Sequence, residues 1–149
     1  MRRSLLLVPL MLLAAPLAGQ VASGDAVKWG PAPPFFPAGA KFAVVQGDPG
    51  ASGEYTVRLQ MPAGYVIAPH WHPTDEHVTV MSGALLLGMG DEADRAKATR
   101  IGAGGFITAP ANGHHYAIAA VPSVVQVHGM GPFAITYVRP ADDPRTAKH

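Results

Sequence analysis

The 149-residue chain is 48% apolar and 14% charged, with eleven Lys and Arg against ten Asp and Glu, a balance that suits one domain with its own core. No basic run could track a phosphate backbone, so nucleic acid is not an expected partner. Cysteine is absent, which excludes disulfides, thiolate metal sites and cysteine nucleophiles, while 17 Gly and 15 Pro point to a turn-rich chain of short strands.

Residues 1–22 have the pattern of a secretory signal peptide. Arg2 and Arg3 form a basic start, Leu5 to Leu13 an apolar centre, and Ala14 to Ala22 a small-residue zone in which cleavage would fall. The apolar stretch is shorter than the roughly 20 residues that span a bilayer. With no cysteine to carry a lipid, the expected mature protein has no membrane anchor and is periplasmic or secreted. Removing Arg2 and Arg3 leaves nine basic against ten acidic residues.

Residues 23–40 read as a proline-rich arm. Pro31, Pro33, Pro34 and Pro37 exclude helix, and Trp29, Phe35 and Phe36 are aromatics that would dock the arm on the body or on a second subunit. From residue 41 to 140 short runs of β-branched and aromatic residues recur between Gly and Pro turns. Strands are expected over Phe42–Gln46, Glu54–Met61, Tyr65–Ala68, His77–Ser82, Ala84–Met89, Ala98–Ile101, Phe106–Ala109, His115–Ala120, Ser123–His128 and Phe133–Val138. In the second of these Tyr55, Val57, Leu59 and Met61 alternate with Thr56, Arg58 and Gln60, the signature of a half-buried strand. Asp91 to Lys97 reads as a solvated loop and residues 141–149 as a polar tail. Many strands without intervening helices make the fold all-β, an antiparallel sandwich or barrel. The G-x-G-x-x-A strings at Gly88 and Gly129 open no helix and are turns.

The stretch that carries chemistry is Gly64 to Gly83. His70 and His72, two residues apart, share one face of an extended segment, and a carboxylate after the Pro73 turn can swing back to that face. Two imidazoles and a carboxylate form a transition-metal site that leaves coordination positions open. Asp75 competes with Glu76 for the carboxylate position.

This pattern resembles the cupin superfamily, in the form of a small single-domain, type-2-like cupin behind a signal peptide. Its first motif, G-x5-H-x-H-x3-4-E-x6-G, is met in full by Gly64, His70, His72, Glu76 and Gly83. Its second, G-x5-P-x-G-x2-H-x3-N, is met by Gly104, Pro110 and His115, with Asn112 at the middle glycine and Ala119 at the final asparagine. Asn tolerates the left-handed backbone that the glycine would supply. The resemblance implies a jelly-roll-like antiparallel barrel and makes His70, His72, Glu76 and His115 the ligands of one divalent ion: iron, manganese, nickel, copper or zinc. His114 competes with His115, and counting from Pro110 favours His115.

In the strand after Pro110, His115, Ala117 and Ala119 share a face whose small side chains leave room for a ligand. Val78 and Val80 are taken with them as pocket residues. Gln126 and His128 alternate with Val125 and Val127, so one pair faces inward. If Gln126 and His128 do, they bond a substrate, and His128 is the one candidate catalytic base outside the ligand set. His77 is expected on the opposite face from the ligands, and Tyr116 and Met81 in the core. The expected activity is that of a metal-dependent, dioxygenase-like enzyme on a small organic molecule. The alternatives are an oxygen-independent isomerase, lyase or decarboxylase, and a non-catalytic binding module. The resemblance is compatible with a homodimer, since cupin-like barrels commonly pair through sheet edges and the proline-rich arm could cross to a partner.

Overall fold

The computed structural model describes residues 23–146; the expected signal peptide, residues 1–22, and the last three residues of the tail lie outside them. Eleven strands form two antiparallel sheets. The first contains β1 (Gly30–Pro31), β2 (Lys41–Gln46), β3 (Gly53–Met61), β5 (Glu76–Ser82), β8 (Phe106–Ala109) and β10 (Ser123–Gly131), in the order β1-β2-β3-β10-β5-β8. The second contains β4 (Val66–Trp71), β6 (Ala84–Met89), β7 (Thr99–Gly102), β9 (His115–Ala119) and β11 (Thr136–Tyr137), in the order β11-β4-β9-β6-β7. Most strands that are neighbours in space are not consecutive in sequence, as in a jelly roll, and the only helices among the described residues are single 3-10 turns.

The core lies between the inner faces. The alternation read in β3 is realised, with Tyr55, Val57, Leu59 and Met61 buried. They meet Val78 and Val80 of β5, Val125 and Val127 of β10, and, from the opposite sheet, Ile67, Leu85, Leu87, Ala117 and Ala119. Strand β9 is buried along its whole length, because its outer face is covered as well. There the Tyr116 ring rests on Gly88, where a Cβ would stand 2.2 Å from the ring, and its hydroxyl donates to the Asp94 carbonyl at 2.7 Å. The loop after β6 thus serves as a cover for Tyr116.

Two expectations are corrected. Met81 is 44% exposed rather than in the core, because it follows His77 and Thr79 onto the outer face of β5 while Val78 and Val80 turn inward. The strand expected over Phe133–Val138 reduces to Thr136–Tyr137. The Phe133 backbone N–H bonds the Pro49 carbonyl at 2.7 Å instead of continuing a ladder.

The arm docks on the protein's own body. Gly30 and Pro31 pair with β2, the Tyr65 hydroxyl donates to the Pro37 carbonyl, and the Tyr137 hydroxyl donates to the Phe35 carbonyl at 2.8 Å. Burial pushes the Tyr65 phenol up to about 12, so it stays a donor. Phe35 and Phe36 pack on one another at 4.9 Å, and their rings meet Phe133 and Phe42 in tilted contacts at 5.5–6.3 Å, closing the open end between the sheets.

Candidate metal centre

The first motif crosses from one sheet to the other. His70 is the last residue but one of β4 in the second sheet, His72 lies in the turn that follows, and Glu76 opens β5 in the first sheet. His115 begins β9 and is the direct cross-strand partner of His70. A register irregularity between Ile67 and His70 lets both side chains reach the cavity although they are three residues apart.

The three imidazoles converge. One nitrogen from each of His70, His72 and His115 lies within 4.8 Å of the other two, and all three residues are buried. Every Nδ1 is held by a backbone carbonyl: His70 to Ala68 at 2.7 Å, His72 to Ala134 at 2.7 Å and His115 to Gly113 at 2.9 Å. A carbonyl only accepts, so each Nδ1 carries the proton and each Nε2 is left with its lone pair facing the others. The Nε2 atoms of His72 and His115 are buried without a hydrogen-bond partner. Such atoms are costly in a folded protein, and a cation is the natural partner for several lone pairs at one point. The side chains present therefore fit a divalent transition metal.

The Glu76 carboxylate stands 3.6 Å from His72 Nε2 and 3.5 Å from His115 Nε2. Burial would raise its pKa, but His115 beside it, with the neighbouring His72 and His70, outweighs that and holds it down at about 2. Burial, reinforced by the nearby imidazoles, drives His70 down to about 3, which keeps its lone pair available at neutral pH. For His115 burial acts the other way from the Glu76 carboxylate, and the carboxylate prevails, so its pKa is raised.

The competing residues have other partners. Asp75 Oδ1 accepts from the Ala111 N–H at 2.7 Å and so fastens the loop that presents His115. In that loop Asn112 has φ 60° and donates its N–H to the His72 carbonyl at 2.8 Å, taking the left-handed turn position of the motif glycine. His114 turns outward to Asp91 at 2.6 Å.

A cavity of about 210 Å³ extends from these residues between the sheets. Val78 and Ala117 line it, whereas Val80 and Ala119 are buried without lining it. Gln126 and His128 do not reach it. Val125 and Val127 take the inner face, so Gln126 accepts from Arg58 Nε at 3.1 Å and His128 stacks on His77 at 4.8 Å, both on the outer face. Their expected pocket role, and that of His128 as a candidate base, is corrected accordingly. Sequence reasoning missed Pro33, Phe35 and Phe36 of the arm, Phe133 and Tyr55, all of which line the cavity. Tyr55 left a signal as the first inward residue in the alternation of β3, and Phe35 and Phe36 as docking aromatics of the arm, but nothing local placed them at this cavity.

A family model for the ChrR cupin-like domain matches residues 18–134. No curated protein sequence matches the chain. Among solved structures the chain is similar to a proposed acetylacetone dioxygenase from Methylibium petroleiphilum PM1, with 23% identity over 89% of this chain and 90% of that one and a TM-score of 0.66. It is also similar to the polyketide cyclase RemF from Streptomyces resistomycificus, with 17% identity over 85% and 90% and a TM-score of 0.65. The DMSP lyase DddQ from Ruegeria pomeroyi DSS-3 aligns at 19% identity over 78% of this chain and 64% of that one, with a TM-score of 0.61. At these identities the likeness is one of fold, and the chemistry differs from one neighbour to the next. The matched model spans most of the chain and both histidine motifs, and the chain belongs to the cupin superfamily, in the ChrR cupin-like family.

Proposed function

We propose that the protein is an exported metal-dependent enzyme of dioxygenase type, acting on a small molecule of β-diketone class with His70, His72, Glu76 and His115 as the metal ligands. The observation that carries this reading is a group of buried Nε2 lone pairs beside a carboxylate, at the end of an apolar cavity. A divalent iron held there would supply Lewis acidity and redox chemistry toward dioxygen. The chain's own residues do the remainder. The backbone carbonyls at Ala68, Gly113 and Ala134 fix the imidazoles in one tautomer, and Phe35, Phe36 and Phe133 exclude water from the apolar end. The cavity is small, at about 210 Å³, and its Val, Leu and Phe walls favour a compact, mostly apolar molecule that turns its oxygens toward the histidines. The likeness to a proposed acetylacetone dioxygenase makes acetylacetone the first compound to try.

The test is oxygen uptake by the iron-reconstituted protein with acetylacetone and a panel of related diketones and catechols. Uptake that requires iron and is lost in His115→Ala is the expected result. Turnover without oxygen would replace this reading with an isomerase or lyase, and tight binding without turnover with a binding module. For export, intact-mass measurement of protein recovered from the periplasm or medium is expected to show loss of about 18 to 23 N-terminal residues. Full-length protein there would refute cleavage.

A further inference from the structure

The chain has four tyrosines. Three have committed hydroxyls: Tyr65 donates to Pro37, Tyr116 to Asp94 and Tyr137 to Phe35, each to a backbone carbonyl. The fourth, Tyr55, is 2% exposed and lines the cavity, and among the described residues no hydrogen bond engages its hydroxyl. The buried polar atoms sealed off without a partner are His72 and His115 Nε2, not Tyr55 Oη, so this hydroxyl is accessible and can donate to a ligand atom in the cavity that Tyr55 lines.

The register shows where that hydroxyl lies. Tyr55 of β3 is paired with Gly129 of β10, and Gly129 is paired on its other side with Glu76 of β5. A Cβ at Gly129 would stand 3.0 Å from Tyr55 Oη and 3.1 Å from the Asp75 carbonyl oxygen. The phenol therefore leans over the bare backbone of Gly129 toward the Glu76 end of β5. Glu76 itself is directed at His72 and His115, which leaves the Tyr55 donor free. Apart from the three histidines, Glu76 and Tyr55, the described lining residues are apolar, so among them Tyr55 carries the only hydroxyl. Burial, and after it the Glu76 charge, raises the pKa of the phenol, which keeps its proton at neutral pH.

We propose that Tyr55 Oη donates a hydrogen bond to an oxygen of the substrate bound beside the histidine–glutamate centre, and so selects ligands with a second oxygen beyond the one facing the metal. The assignment rests on the diketone reading above. It distinguishes a chelating or dicarbonyl compound from a ligand that has only one donor atom.

The experiment uses zinc-loaded protein, since zinc is redox-inert and binding is then read without turnover. Acetylacetone and, separately, azide are titrated by calorimetry into wild type, Tyr55→Phe and Gly129→Ala. The last variant places its methyl in the space of the hydroxyl. Acetylacetone affinity is expected to fall roughly tenfold in Tyr55→Phe and in the same direction in Gly129→Ala, with zinc content and azide affinity unchanged. Equal acetylacetone affinity in wild type and Tyr55→Phe would overturn the role of Tyr55 alone. Loss of zinc from Tyr55→Phe would also overturn it, making the phenol a support of the centre. Azide binding without acetylacetone binding in wild type would overturn the diketone reading, and this assignment with it.

Discussion

His115→Ala is expected to lower zinc or iron affinity by more than about 100-fold, whereas His114→Ala, one residue away, leaves it unchanged. Loss of a residue that merely supports a ligand typically costs about 10- to 100-fold in metal affinity, so loss of an imidazole that would itself hold the ion costs more. His115 is buried, with its Nδ1 fixed by Gly113 and its Nε2 unpartnered. His114 is on the outside, bonded to Asp91 at 2.6 Å. Competition with a chromophoric chelator, with circular dichroism to confirm that both variants keep their β spectrum, separates the two. Equal affinities for the two variants would show that the centre is not a metal site.

Gly83→Ala is expected to destabilise the protein by roughly 2–5 kcal/mol, from left-handed backbone strain added to overpacking. Gly83 turns the chain from β5 into β6 and therefore between the sheets, with φ +77°. A Cβ there would lie 2.3 Å from the Pro122 carbonyl oxygen and 2.8 Å from the Ser123 Cα, and backbone cannot move aside as a flexible side chain can. The Ser123 hydroxyl, 2.5 Å from the same position, accepts from the Ala84 N–H and is itself buried, so displacing it would break a second contact. Gly64, also a motif glycine, has φ +78° but nothing within 4 Å of a Cβ. Gly64→Ala should cost only about 1–2 kcal/mol, the strain alone. Chemical denaturation of both variants measures the difference, and equal losses would mean that the crowding at Gly83 relaxes freely.

The motif spacing in the sequence is explained by these contacts. His70 and His72 are two apart because both must point inward from extended backbone, and Glu76 follows after four because the turn carries the chain from the second sheet to the first. Asn112 stands in for a glycine because only its backbone conformation, φ 60°, is needed there. The spacing from Pro110 in the cupin motif favours His115 over His114, and because successive residues of a strand point to opposite faces, His114 then faces outward.

The sequence by itself determined the all-β architecture, the inward face of β3 and the candidate residues of the centre, because period-two alternation and short motif spacings are local properties of an extended chain. It left the face of β10 open. Val125 and Val127 against Gln126 and His128 is a symmetric alternation, and only packing between β3 and β5 turned the valines inward. Local pattern was equally silent on the register irregularity that brings Ile67 and His70 to one cavity. The same holds for the arm, whose Phe35 and Phe36 meet Phe133 about a hundred residues away. Tyr55 and Glu76 face each other across a single strand only because Gly129, distant from both in sequence, is paired with each of them. Contacts made across two sheets depend on strand order and register, and those are settled by the summed burial of the whole core rather than by any one segment.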